Sequence, residues 1–272
     1  NRYCLILSLS FINYCLAANE YYTYDTIDST LHAWQNEYGQ AAHPILGDYG
    51  IIYNLDTIGY SSQDSLPIFV VKLSDNVNDD EDEARVLILG QCHAEEIYGV
   101  EISMEISNQF LHPEQFQENR TFLQKGLYFT EIWIVPTYNP EGLRVVHGYV
   151  EDSEEIQDVT YRKNKRDTDN NGIFDFEDGI GQDTDGVDLN RNYDFNWIFG
   201  DTLLQSCDPT VSDCSYNDDY DYYKGEYPES ESEVQAIMNL TREHNFLLSI
   251  AYHSSRSGRS EERRVGKECR SR

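Results

Sequence analysis

A strand-like run, Arg85 to Leu89, leads through Gly90-Gln91-Cys92 into His93-Ala94-Glu95-Glu96, and apolar residues at helical spacing follow at Ile97, Val100, Met104 and Leu111. This order of strand, candidate ligands and helix constrains the fold more than any other stretch. It puts His93 at the carboxyl end of a strand and Glu96 in the first turn of a helix over 96–111. A later apolar strand, Phe246 to Tyr252, delivers His253 in the same manner. Two histidines and a carboxylate are a ligand set that catalytic zinc uses, with the fourth position left for water. Sites at strand carboxyl ends belong to α/β layered folds with a mostly parallel sheet.

The remaining pattern agrees with that class. A first helix is expected over 28–40, with Ser29 or Thr30 at its start and Gly39 at its stop. Ile51 to Leu55, Pro67 to Leu73 and Phe129 to Val135 read as strands, the last ended by Pro136. Asn139-Pro140-Glu141-Gly142 reads as a turn. The acidic run Asp79 to Glu83 reads as a solvated turn between strands, and Ser230 with Glu233 as a capping box opening a helix to about Glu243.

With 20 basic residues against 49 acidic ones, nucleic acid and anionic membranes are poor partners, since both select for clustered Lys and Arg. Residues 5–17 form an apolar run behind Arg2, followed by Ala17 and Ala18. The run is too short to span a bilayer and has the form of a secretory signal over 1–18, which implies a secreted or periplasmic protein. In an oxidising compartment Cys207 and Cys214, flanking a turn-rich loop, can close a disulfide; two free thiols are the alternative. Cys92 is adjacent to His93 and so points to the opposite side of the strand, where burial behind the site is expected. Residues 259–272 hold 6 of the 20 basic residues, an abrupt change that suggests a foreign tail. The domain is therefore expected over 19–258.

His93-x-x-Glu96 alone is a weak signal; its company strengthens it. In Val187-Asp188-Leu189-Asn190-Arg191 an amide stands beside a guanidinium, a pair suited to capturing a carboxylate. Asp188 suits the second ring nitrogen of a metal-bound histidine, although a capping role fits it as well.

Together these stretches resemble the zinc metallocarboxypeptidase family of the A, B and T kind. The match covers about 28–258. It aligns His93, Glu96 and His253 with the metal ligands, and the motif Asp188 to Asn192 is intact. Tyr161-Arg162-Lys163-Asn164 resembles the family's Trp-Arg-Lys stretch, Asn139 to Gly142 its Asn-Pro-Asp-Gly turn, and Tyr223-Lys224-Gly225 with Ser230-Glu231 its Tyr-Arg-Gly and Ser-Glu stretch. The resemblance implies a three-layer α/β/α fold of the zinc exopeptidase type, incomplete at its C-terminus, and one zinc ion. It implies that Arg162 polarises the scissile carbonyl, that Asn190 and Arg191 bind the terminal carboxylate, and that Asp188 stands behind His93. Glu95 occupies a place where many relatives carry arginine. The family's general-base glutamate lies several tens of residues beyond the third ligand, whereas this chain ends 19 residues after His253, so no base is assigned in it.

A second cation is suggested by Asp167, Asp169, Asn171, Ile173, Asp175 and Asp178, which follow the oxygen spacing of calcium loops with Gly172 at the sharp turn. A solvated acidic loop is the alternative. The functional expectation is zinc-dependent removal of C-terminal residues from peptides or proteins. Its rivals are a peptide-binding relative without catalysis and a zinc amidohydrolase of the acylase type.

Overall fold

The computed structural model describes residues 21–44, 46, 49–79, 82–175, 184–195, 197 and 222–254. The cysteines at 207 and 214, Asp178, the apolar leader and the basic tail lie outside the described residues.

Helix α1 (Tyr24–Tyr38) starts four residues earlier than Asp28. Thr23 and Thr26 cap it reciprocally: the Thr26 amide donates to Thr23 Oγ1 at 3.2 Å and the Thr23 amide to Thr26 Oγ1 at 2.8 Å. Ser29 and Thr30 thus fall inside the helix, while Gly39 ends it as expected. Strands β1 (Tyr53–Tyr60), β2 (Pro67–Leu73) and β3 (Ala84–Gln91) follow, then helices α2 (Tyr98–Leu111) and α3 (Arg120–Phe129), strand β4 (Thr130–Thr137), helix α4 (Pro140–His147) and the short hairpin β5 (Tyr149–Glu151) and β6 (Glu154–Ile156). Helix α5 (Ser232–Glu243) and strand β7 (Leu248–Ala251) complete the described elements.

Several expectations need correction. Pro136 does not end β4, which runs on to Thr137. Asn139 to Gly142 is a helix start: Asn139 Oδ1 accepts the Gly142 amide at 3.1 Å and Pro140 occupies the first helical position. Glu96 precedes α2 rather than lying in its first turn. The capping box at α5 does not form, because Glu233 turns away to accept the Ser62 amide at 3.0 Å and the Ser62 hydroxyl at 3.1 Å.

The five strands pair in the order β1-β2-β4-β3-β7. β1–β2 and β2–β4 are antiparallel, and β3 pairs in parallel with both β4 and β7. Alternate residues of each strand enter opposite apolar layers, as a two-residue period requires. Phe69, Val71, Ile88 and Ile134 pack with Leu31, Trp34, Met104 and Leu127 of α1, α2 and α3. Ile68, Val70, Leu87 and Leu89 pack with Val234, Ile237 and Leu240 of α5. The result is the helix, sheet, helix layering expected from the sequence. Among the described residues, no helix is long and apolar enough to cross a membrane.

A buried polar layer joins the loop after β1 to the starts of α4 and α5. The Asn164 amide accepts Val187 N–H at 2.7 Å and donates to Glu231 at 2.8 Å and to Ser62 Oγ at 3.1 Å. Glu233 and Glu141, both buried, belong to the same layer. Burial, with Glu141 and then Glu231 nearby, pushes the Glu233 carboxyl up to about 8 from an ordinary 4.5. Between those values the folded chain holds a proton that the unfolded chain has released, so stability falls as pH rises through this window. Glu233→Gln keeps an acceptor for Ser62 without the ionisable group. In urea unfolding at pH 5, 6.5 and 8, the variant is expected to gain on the wild type as pH rises. A stability difference independent of pH would contradict the assignment of a retained proton to Glu233.

Candidate metal centre and adjoining cleft

The parallel register of β3 and β7 builds the centre. Leu89 lies opposite Ala251, and the Tyr252 amide donates to Leu89 O at 3.0 Å, so the chain leaves both strands side by side. His93 and His253 follow at once, with ring centroids 4.9 Å apart. The turn carrying Glu96 folds back tightly because Gly99 lies against the Gly90 carbonyl; a Cβ at Gly99 would come within 2.1 Å of that oxygen.

Three donor atoms converge. His93 Nδ1 lies 3.1 Å from Glu96 Oε1, His253 Nδ1 lies 2.8 Å from Glu96 Oε2, and the two Nδ1 atoms are 3.2 Å apart. Two imidazole nitrogens that face each other with bare lone pairs cannot bond, and a cation held between them and the carboxylate satisfies all three. His93, Glu96 and His253 therefore have the composition and mutual placement to hold one metal ion. The electrostatic balance points the same way. Burial opposes charge on Glu96, yet the bonds from His253 and His93 outweigh it and hold the carboxyl down at about 2. Burial also opposes charge on His93, yet Asp188 and Glu96 raise its pKa. The cluster draws positive charge to its centre.

Behind His93 stands Asp188, fully buried, with Oδ1 3.2 Å from His93 Nε2. A proton on Nε2 satisfies this carboxylate and leaves Nδ1 aimed at Glu96 and His253. Burial works against ionisation of Asp188, but Arg162 and then His93 hold its carboxyl well below the usual range. Asp188 also caps the 3-10 turn Leu189–Arg191, accepting the Asn190 amide at 2.9 Å. The two roles weighed for it from sequence are thus both present in its contacts.

Arg162 reaches the centre because its carbonyl accepts the Ala94 amide at 3.0 Å, and Asn139 Nδ2 ties Cys92 O at 2.8 Å to Lys163 O at 3.0 Å. Its Nε donates to Asp188 Oδ2 at 3.0 Å and its Nη1 lies 3.4 Å from Glu95. Asp188 serves both neighbours, Oδ1 facing His93 Nε2 and Oδ2 accepting from Arg162 Nε, while Arg162 Nη2 lies 2.9 Å from His93 Nε2, so that a proton on Nε2 and the guanidinium crowd each other there. Burial alone would lower the pKa of Arg162; Asp188 and then Glu95 raise it further above its ordinary value. Arg191 approaches from the 3-10 turn, and its guanidinium lies 5.7 Å from the centroid of the Tyr222 ring, from which the Arg162 guanidinium lies 5.2 Å. Asn190 is exposed beside it. Cys92 is buried, as expected, although it lies one residue past the end of β3 rather than on the strand.

The acidic loop is only partly as expected. Asp167 and Asp169 meet Asp185, and these three carboxylates have the spacing to hold a cation. Asn171 and Asp175 bond within the loop at 3.0 Å, and the Ile173 amide donates to Asn171. Asp185 escaped the sequence reading because it lies seven residues past the end of the spaced motif, yet it is buried and accepts the Thr168 and Asp175 amides, each at 2.8 Å. Tyr222 belongs to no spaced pattern and only its contacts mark it; Asn139 stands in the Asn139–Gly142 motif, but its tie between Cys92 and Lys163 is visible only in the fold.

With this geometry in view, comparison with known proteins is informative. The zinc carboxypeptidase family profile matches residues 40–258. A zinc carboxypeptidase from Saccharothrix mutabilis subsp. capreolus is 27% identical over 150 residues, covering 55% of this chain and 29% of its own. Human mast cell carboxypeptidase A is 26% identical over 204 residues, covering 72% of this chain and 39% of its own. Among solved structures, thrombin activatable fibrinolysis inhibitor superposes with a TM-score of 0.60 at 21% identity, over 87% of this chain and 48% of that one. Carboxypeptidase A from Helicoverpa armigera gives 0.57 at 20% identity, over 87% and 46%. These structures support the α/β carboxypeptidase fold. The chain spans under half the length of each of these relatives.

Proposed function

The chain belongs to the zinc carboxypeptidase family, and on that premise we propose that it forms the zinc-binding and carboxylate-binding part of a secreted metallocarboxypeptidase acting on peptide C-termini. The observation that carries this reading is the convergence of His93, Glu96 and His253 on one point, with Arg162 and Arg191 facing one ring beside it. His93, Glu96 and His253 would hold the zinc. When bound, zinc supplies Lewis acidity toward a carbonyl and lowers the pKa of water. Asp188 holds the His93 ring by Nε2 and receives Arg162 Nε; the outer nitrogens of the guanidinium, which here lie against Glu95 and His93, would turn to the scissile carbonyl as negative charge develops there. Asn190 and Arg191 take the terminal carboxylate, which restricts attack to the last peptide bond. The catalytic unit in this reading is 19–258, with the leader 1–18 and tail 259–272 outside it and a disulfide between Cys207 and Cys214.

Among the described residues at the centre no carboxylate is assigned as general base: Glu96 faces both histidines and Glu95 lies against Arg162. Residues 1–272 by themselves are accordingly expected to turn over peptides poorly even with zinc, since a positioned base contributes about 10²- to 10⁴-fold. Rapid, chelator-sensitive release of a C-terminal chromogenic residue by this chain would refute that assignment. Binding tests the wider reading. In calorimetry with zinc present, a peptide with a free C-terminus is expected to bind more tightly than its amidated form, and chelation is expected to weaken both while leaving the difference that Asn190 and Arg191 supply. Equal affinity for both would exclude a carboxypeptidase site and favour the amidohydrolase.

The proposal extends to a calcium ion on the acidic loop, held by Asp167, Asp169 and Asp185, with Asn171, Ile173, Asp175 and Asp178 as the wider ligand set. The loop leaves the chain just after Arg162 and returns just before Asp188, with Gly186 N–H bonded to Arg166 O at 2.8 Å. An ion there would stiffen both segments. Millimolar calcium is expected to raise the melting temperature, and the double substitution Asp167→Ala, Asp169→Ala to remove that rise. Identical melting in calcium and in chelator would leave the loop merely acidic.

A further inference from the structure

We infer that Tyr222 is a positioning residue that sets the spacing of the two substrate-binding cations and thereby registers the free C-terminus against the metal centre. The inference rests on the carboxypeptidase reading above. The guanidinium carbons of Arg162 and Arg191 lie 5.2 and 5.7 Å from the centroid of the same Tyr222 ring. An aromatic face carries partial negative charge and attracts a cation within about 6 Å. One ring shared by two guanidinium groups from distant parts of the chain offsets their mutual repulsion and fixes where each sits.

The backbone around Tyr222 is anchored to the segment whose arginine it faces. The Asp188 amide donates to Tyr223 O at 2.8 Å, and Asn192 Nδ2 donates to Lys224 O at 2.9 Å. Gly225 adopts φ +85°, and a Cβ there would come within 2.5 Å of both Asn192 Nδ2 and Ser230 Oγ, so only glycine lets this segment lie so close. Tyr222 is therefore held in register with Asp188 and with the 3-10 turn bearing Asn190 and Arg191. In a C-terminal residue the scissile carbonyl and the terminal carboxylate are separated by a fixed, short covalent path. Two cations at a matching fixed spacing engage both groups at once, whereas cations free to drift engage them one at a time. The aromatic face of Tyr222 acts through the arginines and needs no contact with substrate.

The test is equilibrium binding of a free-carboxylate peptide and its amidated twin to the zinc-loaded full chain, with zinc content and melting temperature recorded for each variant. Tyr222→Phe keeps the ring face and is expected to bind as the wild type does. Tyr222→Leu is expected to lose about tenfold in affinity for the free-carboxylate peptide, with little change for the amide. Replacing Tyr222 with pentafluorophenylalanine keeps shape and apolarity while reversing the charge of the ring face, and it is expected to resemble Leu rather than Phe. This pair also decides the matter should the Leu variant fold poorly. Pentafluorophenylalanine behaving like Phe would overturn the inference by showing that Tyr222 acts through packing alone, and tighter binding by Leu would overturn it by showing that the ring obstructs the cleft. A wild-type protein indifferent to amidation would instead overturn the carboxypeptidase reading, and this inference with it.

Discussion

His93→Ala is expected to lose its zinc: a wild-type protein carrying close to one equivalent should become one carrying a small fraction of that after gel filtration. Among the described residues His93 is one of three donors at the centre, and its Nδ1 lies within 3.2 Å of both others. Removing it leaves one imidazole and one carboxylate, too few for the three-ligand arrangement of a catalytic zinc. Asp188→Asn should be milder. It keeps the shape but reverses the preferred hydrogen bond at His93 Nε2 and leaves Arg162 without its buried counter-ion, so zinc affinity is expected to fall about 10- to 100-fold. Elemental analysis and competition with a chromophoric chelator measure both effects, and circular dichroism shows whether the fold persists. Undiminished zinc in His93→Ala would remove the site assignment altogether.

That the centre could be foreseen owes much to the geometry of strand ends. Once Arg85 to Leu89 and Phe246 to Tyr252 are read as strands, parallel pairing brings the residues after each to one edge of the sheet, and the histidines there have few other places to go. β2 was bounded correctly at Pro67 and Leu73 because nearly every residue in it is apolar and buried. Other elements carried weaker signals. α3 was overlooked: it buries only Leu123 and Leu127, and a single apolar pair does not establish a period. β1 begins at Tyr53 rather than Ile51 and extends past Leu55 to Tyr60, where Asp56, Thr57 and Gly59 interrupt the apolar pattern. The start of α4 was misread because Asn followed by Pro signals a turn and a helix start equally well.

Glu233 illustrates a different limit. Its place three residues after Ser230 satisfies the pattern of a capping box, yet the partner it takes, Ser62, lies on a loop far away in sequence. Local spacing reports which bonds a short segment is able to make. Only the packed fold decides which of them compete successfully with distant ones. The same holds for Asp185 and Tyr222, whose neighbours come from segments that the chain brings together only when folded.

Arg191→Ala is expected to cost about 10- to 100-fold in affinity for a free-carboxylate peptide, the range for losing a charge-assisted hydrogen-bonding pair, while affinity for the amidated peptide changes little. Three features argue for a role that depends on geometry as well as charge. Arg191 projects from a 3-10 turn whose amides bond to Asp188, the Asn190 amide to its side chain and the Arg191 amide to its carbonyl, both at 2.9 Å. The guanidinium lies over Tyr222. Asn190, beside it, offers an amide donor to the same carboxylate. Arg191→Lys should therefore recover only part of the loss, because an ammonium brings the charge without the planar fork or the stacking face. Titrating both peptides against wild type and the two variants, at constant zinc and ionic strength, separates these contributions. Full recovery by lysine would reduce the role of Arg191 to charge alone, and an equal loss for both peptides would make it a structural support of the cleft.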